Sequence, residues 1–150
     1  MNLIRLQRRI VSIRLVLGIK NGNDSRCQEA GDIVHMPIPP GGEPVLDHPR
    51  EDRRVAGCPE RLTWTSHESG PMTAGTWHAQ PGRWRIVFPE TRQEYFFVLE
   101  GHVRLHAPDG RSTDVKAGEG AVIPPGFVGE FEVVAAVKKQ FVLVDQEAKA

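Results

Sequence analysis

The chain of 150 residues is long enough to bury one hydrophobic core and too short to build two independent ones. Its 19 Lys and Arg residues balance its 19 Asp and Glu residues. The net charge of 0 provides no general attraction to nucleic acid or to an anionic membrane, so we expect neither as a partner. With 15 Gly and 12 Pro residues, the composition favours a turn-dense β protein over a helical bundle.

The chain begins with a basic segment, residues 1–20, that has no acidic side chain. Its apolar run from Ile10 to Ile19 is interrupted by Arg14 and is too short for a bilayer, which needs about 20 apolar residues. A basic amphipathic helix, a weak targeting segment and translated sequence upstream of the true start, with Met36 as that start, all stay open. We expect residues 1–35 to be an extension, non-native or poorly ordered, that adds little to the fold.

Residues 36–57 are rich in Pro and Gly and lack helical periodicity, so we predict an extended arm ahead of a domain at 58–146. The two cysteines, Cys27 and Cys58, are too few for the disulfide framework of a small secreted protein. We interpret them as free thiols in a reducing cytosol and predict a cytoplasmic location. Because neither belongs to a Cys-x-x-Cys pair, no structural zinc site is expected.

Short segments rich in β-forming residues, separated by turn signals, continue through the rest of the chain. Asp109-Gly110 is a strong hairpin signal among them. Apolar residues at the spacing of an amphipathic helix are missing from this stretch, so the pattern predicts an all-β sandwich, jelly roll or small barrel. The predicted strands are Arg61–Ser66, Thr73–Gln80, Trp84–Phe88, Glu94–Leu99, His102–His106, Asp114–Lys116, Gly120–Ile123, Val128–Ala135 and Gln140–Val144.

Two segments carry glycine, proline and acid at spacings that strand propensity does not explain. They are Gly82-x5-Phe88-x-Glu90-x3-Glu94-x6-Gly101 and Gly118-x5-Pro124-x-Gly126-x2-Gly129-x3-Val133. The pair resembles the two cupin motifs, G-x5-H-x-H-x3,4-E-x6-G and G-x5-P-x-G-x2-H-x3-N. The framework positions that match are Gly82, Glu94, Gly101, Gly118, Pro124 and Gly126.

The resemblance covers about Pro49 to Val144. Within it, GTWHAQPGRW, YFFVLEGHV and AGEGAVIPPGFVGEFEV look like the small single-domain cupins related to the cupin domain of ureidoglycine aminohydrolase. It implies an all-β fold with a single cupin barrel, which is a double-stranded β-helix or jelly roll. It also implies a homodimer, because cupins often pair through a barrel sheet.

The departures from the motifs bear on the cofactor. In metal-dependent cupins, three inward histidines and one glutamate hold a divalent ion such as iron or manganese. The histidine positions are Phe88, Glu90 and Gly129 in this chain, and Glu94 alone is retained. A lone carboxylate beside a phenylalanine is a poor divalent site, so the resemblance implies that the metal ligands are lost and that no cofactor is bound. A divergent metal-dependent enzyme is the alternative.

Strand alternation predicts which side chains share the barrel interior and form a ligand pocket. Glu94 is the tentative catalytic residue, since an inward carboxylate has a raised pKa suited to a general acid or base unless a cation partners it. Candidate partners are Arg85, Arg92 and Lys139. The predicted pocket residues are Trp84, Phe88, Glu90, Glu94, Phe96, Phe127, Gly129 and Phe131, although Glu90 follows Pro89 and a solvent-facing bulge also suits it.

Alternation also assigns several side chains away from the pocket. Val103 and Leu105 are predicted to face inward, and the single tyrosine, Tyr95, to face outward. His102 and His106 are expected on the exterior, which leaves His78 as a reserve pocket residue. We interpret Lys138-Lys139 as a solvated turn.

Three functions follow from these expectations. The first is a metal-independent protein that binds a small organic molecule in the barrel interior. The second is a metal-free isomerase, lyase or amidohydrolase-like enzyme that uses Glu94 as its general acid or base. The third is an interaction module whose exposed strands form a homodimer, which is compatible with either of the others.

Overall fold

The computed structural model describes residues 31–147, and its compact unit begins at Ile33. The predictions for residues 1–30, Cys27 included, lie outside the described part of the chain. A 3-10 turn at Glu51–Arg53 separates the first two strands. The strands are β1 (Val45–Asp47), β2 (Arg54–Ala56), β3 (Arg61–Ser69), β4 (Met72–Ala79), β5 (Gly82–Val87), β6 (Arg92–His106), β7 (Ser112–Lys116), β8 (Gly120–Ile123) and β9 (Val128–Asp145).

The two longest strands, β6 and β9, organise an antiparallel sheet and pair with each other along most of their length. The other edge of β9 is shared by β5 along its first half and by β4 along its second half. The other edge of β6 is shared in the same way by β8 and β7. Each long strand therefore contributes one half to each of two leaves of a curled sheet. β3 and β1 extend the leaf that contains β4, and β2 extends the leaf that contains β5.

A glycine makes the bend between the two leaves. The register of β6 against β9 shifts between Val98 and Val103, and Gly101 lies within that shift with a φ of +90°. A Cβ at this position would overlap the backbone carbonyl of Ala136. Because other residues rarely adopt this φ and no side chain fits here, the bend depends on glycine.

Each long strand was expected to be two shorter ones, and the structure joins them. The interpretation of Lys138-Lys139 as a solvated turn is wrong, because β9 continues through both residues. Lys138 lies opposite His78 on β4, and Lys139 lies opposite Trp77. The sheet changes direction through the bulged ladder at Gly101, so no turn is needed at this point of β9.

The face enclosed by the curl carries the hydrophobic core, to which both leaves contribute. The expected inward positions of Val103 and Leu105 are confirmed, since both are buried, and Tyr95 faces outward with 48% of its surface exposed. The all-β prediction is confirmed for the described residues. The buried core consists of Ala79, Trp84, Phe96, Val98, Val103, Leu105, Val115, Ile123, Phe131, Val133 and Val137.

The arm predicted at residues 36–57 contributes to the sheet. β1 pairs with β3, and β2 pairs with β5, so the arm covers two sheet edges. Cys58, just after it, is an exposed free thiol. Between residues 31 and 147, no helix is long and apolar enough to cross a membrane.

Candidate ligand-binding cavity

The barrel interior holds a cavity of about 220 Å³ between the two leaves. Six strands and the Phe88 loop contribute side chains to its wall. Most of the wall is aromatic or aliphatic, and four polar side chains interrupt it. The lining residues are Arg61, Thr63, Trp77, Trp84, Ile86, Phe88, Glu94, Ile123, Phe131, Lys139, Phe141 and Leu143.

Four aromatic side chains form a connected cluster beside the cavity. Trp84 stacks on Phe131 with ring centroids 5.3 Å apart, and Trp77 meets Phe131 edge-on at 5.7 Å. Phe96, fully buried, packs against the same ring at 6.1 Å. Offset-stacked and edge-to-face pairs at these separations add to the stabilisation from buried area. The packing between these rings therefore restricts the positions of the aromatic side chains at the cavity.

The cavity also contains an enclosed ion pair between Glu94 on β6 and Lys139 on β9. The Lys139 Nζ atom donates a hydrogen bond to Glu94 Oε1 at 2.5 Å. The Lys139 side chain is only 5% exposed and that of Glu94 only 13% exposed. Charges removed from water to this degree are tolerated only when they are paired, so each residue depends on the other.

Three aromatic rings surround the ammonium group of Lys139. Its Nζ atom lies 4.4 Å from the ring centroid of Phe96, 4.7 Å from that of Trp77 and 5.1 Å from that of Phe131. The negative face of an aromatic ring attracts a cation at these distances, and more strongly when water is excluded. The rings therefore add cation–π contacts to the hydrogen bond that Lys139 makes with Glu94.

A second cation, Arg61 on β3, belongs to the cavity wall. Its Nε and Nη2 atoms donate hydrogen bonds to the two carboxylate oxygens of Asp47 on β1, at 2.9 and 2.5 Å. Its guanidinium carbon lies 5.3 Å from the ring centroid of Trp84. The arm that carries Asp47 thus fixes the orientation of an arginine at the cavity.

Four of the eight predicted pocket residues line this cavity: Trp84, Phe88, Glu94 and Phe131. Phe96 lies behind the wall in the core. Phe127 and Gly129 are half-buried and line two separate surface depressions. Glu90 is exposed and packs against Gly126, away from the cavity, as a bulge after Pro89 would place it.

Lys139 was expected as one of three possible partners for Glu94 and otherwise as part of a turn. Arg61 was not among the expected pocket residues. Lys139 could have been found by carrying the alternation from Phe131 and Val133 through an unbroken β9. Arg61 gave no such signal, because the inward face of β3 is set by its register with β4 and not by its own residues.

The residues at the cupin metal positions do not fit a divalent cation. Phe88 offers no donor atom, Glu90 lies outside the cavity, and Glu94 already accepts a hydrogen bond from an ammonium group. A Cβ at Gly129 would overlap the backbone carbonyl of His106, so that position admits no side chain without a shift. In the described part of the chain, no cluster of three His, Cys, Asp or Glu side chains could hold a metal ion.

The neighbouring lysine faces the opposite side of the sheet. Lys138 forms an ion pair with Glu100 at 3.0 Å, in which both side chains are substantially exposed. His78 also lies on this outer face, against Trp64 at 4.7 Å. Burial, followed by the positive charge of Lys138, holds the pKa of His78 below its ordinary value. The reserve residue therefore lies outside the cavity.

The curled two-leaf sheet and the glycine framework define a cupin barrel, as the sequence predicted. A family model described as the EutQ-like cupin domain matches residues 66–141, just over half of the chain. The chain therefore belongs to the EutQ-like cupin family. No functionally curated protein matches it.

Solved structures support the same fold. A DUF861-family protein of unknown function from Pseudomonas syringae pv. tomato is 19% identical with a TM-score of 0.61, over 69% of this chain and 45% of its own. The EutQ protein of Clostridium difficile is 19% identical with a TM-score of 0.53, over 58% and 64% of the two chains.

A protein described as ethanolamine utilization protein Q from Salmonella typhimurium LT2 is 20% identical with a TM-score of 0.53, over 69% of this chain and 97% of its own. The present chain spans less than two thirds of the length of the Pseudomonas syringae and Clostridium difficile proteins. At these identities the likeness concerns the fold alone.

Proposed function

We propose that this protein is a metal-independent cupin that binds one small organic molecule in the barrel interior. The observation that carries the proposal is an apolar, aromatic cavity of about 220 Å³ with a few convergent polar groups. Sites for small molecules have this composition, because the apolar wall supplies affinity and the polar groups supply orientation. An apolar cavity of about 150 Å³ binds benzene, so there is room for one ring with a polar substituent.

Binding of ring-sized probes to the full-length protein tests the proposal. We expect at least one of benzoate, benzamide and benzyl alcohol to bind with one-to-one stoichiometry in isothermal titration calorimetry. Thr63→Phe places a ring in the cavity and should abolish that binding. Thr65→Phe, at an exposed position of the same strand, should retain it. The absence of binding by all three probes, or equal binding by both variants, would overturn the proposal.

Metal independence is tested separately by elemental analysis of full-length protein purified without chelator. We expect iron, manganese, nickel and zinc each far below one equivalent, because an ammonium group already occupies the carboxylate of Glu94. Near one equivalent of any of them would contradict this part of the proposal. The hydrolysis of ureidoglycine is not proposed, since the related proteins rely on a metal for it.

A metal-free enzyme is the second candidate, because Glu94 lines the cavity in contact with a proton donor. Glu94 would take an α-proton from a bound ketone, and Lys139 would hydrogen-bond the oxygen that becomes negative. Exchange of the methyl protons of acetophenone with D₂O, followed by NMR, tests this activity. Exchange that is accelerated by the wild type and lost in Glu94→Gln would favour it. Rates equal to those without protein would exclude it for this substrate.

The expected homodimer and cytoplasmic location stay predictions from the sequence. Tyr95 on β6 and Val122 on β8 lie side by side and largely exposed, which suits a contact between two copies through this sheet. Sedimentation equilibrium of the wild type and of Val122→Lys would test it, with a dimer expected for the first and a monomer for the second.

A further inference from the structure

The charges of the cavity wall point to the class of molecule that it takes, an inference that rests on the proposed function. Two cationic side chains, Arg61 and Lys139, line the cavity together with one carboxylate, Glu94. The formal charge of the wall is therefore one positive unit. The carboxylate of Asp47, which partners Arg61, is half exposed and does not line the cavity.

Both cations retain donors that have no partner among residues 31–147. The ammonium group of Lys139 has three N–H bonds, and Glu94 accepts one of them. Arg61 donates through Nε and Nη2, which leaves its Nη1 edge free. Glu94 and Thr63 complete the polar part of the wall. The free N–H groups of both cations are thus available to an anionic oxygen.

Register brings the two cations to the same inner face. Lys139 on β9 lies opposite Trp77 on β4, and Trp77 lies opposite Thr63 on β3. Arg61 is two residues before Thr63, so its side chain leaves the strand on the same side. Two aromatic rings lie beside them: the Trp84 centroid is 5.3 Å from the guanidinium carbon of Arg61, and the Phe131 centroid is 5.1 Å from Lys139 Nζ.

We propose that Lys139 is the resident cation of the cavity and that, with Arg61, it selects a monocarboxylate bearing a ring-sized apolar group. One bound carboxylate brings the formal charge of the cavity wall to zero and accepts hydrogen bonds from the free N–H groups of both cations. Its ring packs on Trp84 and Phe131. The lysine thereby attracts an anionic oxygen without any divalent ion, and Glu94 competes with the ligand for the ammonium group.

A comparison of benzoate with benzamide tests the proposal, because the two have nearly the same shape and differ in charge. In calorimetry with the full-length protein, benzoate should bind about tenfold tighter, as a charge-assisted hydrogen bond exceeds a neutral one by that order. Lys139→Met should remove this preference, so that benzoate and benzamide bind with similar affinity. The matched control Lys138→Met, one residue away on the outer face, should keep it.

A second variant keeps the proposal testable if Lys139→Met does not fold. Glu94→Gln keeps an acceptor for Lys139 and raises the wall charge by one unit, so benzoate should bind about tenfold more tightly.

Each result has one meaning. Benzamide or benzyl alcohol binding as tightly as benzoate would overturn this inference and leave the proposed function intact. Unchanged or weaker benzoate binding in Glu94→Gln would also overturn it. Failure of all probes would remove the proposed function as well.

Discussion

Two adjacent lysines of β9 have different surroundings because successive residues of a strand face opposite sides of the sheet. Lys138 pairs with Glu100 on the outer face, with side chains 46% and 63% exposed. Lys139 pairs with Glu94 in the cavity, with side chains 5% and 13% exposed. The same chemical pair is thus a weak surface contact on one face and a mutually dependent pair of buried charges on the other. Position in the sheet, and not residue type, decides which lysine lines the cavity.

The largest expected difference between the two pairs is in stability. Lys139→Ala leaves the Glu94 carboxylate without its partner and should lower the free energy of unfolding by about 3–5 kcal/mol. Lys138→Ala should lower it by about 1 kcal/mol or less, because its pair is solvated. Urea denaturation at neutral pH measures both values. Similar losses of unfolding free energy in the two variants would contradict the expected difference between the inner and the outer ion pair.

Replacing both charges of the inner pair separates stability from function. Glu94→Leu combined with Lys139→Met removes both desolvated charges at once, so the double variant should be as stable as the wild type or up to about 4 kcal/mol more stable. Benzoate binding in the same variant should weaken to about that of benzamide, because Lys139 no longer contacts the carboxylate while Arg61 remains. A double variant that is less stable than Lys139→Ala would show that the ion pair itself stabilises the fold.

The bend that keeps β9 continuous can be tested through glycine. Gly101 and Gly110 have similar φ angles, +90° and +86°, but only Gly101 has backbone where a Cβ would lie. Alanine at Gly110 should cost about 1–2 kcal/mol of strain. Alanine at Gly101 should cost a further 1–3 kcal/mol, approximately, for overpacking. Equal decreases in the denaturant midpoint for the two alanine variants would mean that the backbone at Gly101 accommodates a methyl group without a further loss of stability.

The smallest expected effect is on the titration of His78, which lies beside Lys138. Because its pKa is lowered in the folded state, the unfolded chain binds the proton better. His78 therefore does not lower the free energy of unfolding above about pH 6.5. Its contribution becomes destabilising as the pH falls from there through the folded-state pKa. Lys138→Met should move the pKa part of the way back toward its ordinary value, since burial is the larger cause.

An NMR titration of the His78 ring proton checks this expectation. Lys139→Met serves as the control, because the charge of Lys139 is not among the causes of the lowered pKa. A shift of equal size in the control would show that the two faces of the sheet are not electrostatically separate.

The parts of this molecule that the sequence predicts are those governed by local rules. Turn signals and alternation located the strands, and the spacing of Gly101 and Gly118 within the motifs identified the barrel. The same alternation brought Glu94, Trp84 and Phe131 to one interior. These features depend on a few neighbouring residues, so a single sequence contains them.

What the sequence missed depends on contacts between distant segments. The pairing of β6 with β9 carries the ladder through the bend, so the turn expected at Lys138 does not form and Lys139 turns inward. Arg61 faces the cavity through the register of β3, and Asp47 orients it from the arm. The inward position of Lys139 follows from alternation only once β9 is known to be unbroken, and that of Arg61 cannot be derived from its flanking residues.

The central place of β9 also affects the order in which the protein can fold during synthesis. Its partners β4, β5 and β6 all precede it in the chain, and Met72 on β4 pairs with Val144 near its end. Until Val128–Asp145 has left the ribosome, each of these strands has an open edge. Non-local pairing of this kind slows folding and leaves strand edges exposed to other chains. The strands that precede β9 therefore keep unpaired edges until β9 has emerged, and unpaired edges of this kind favour aggregation.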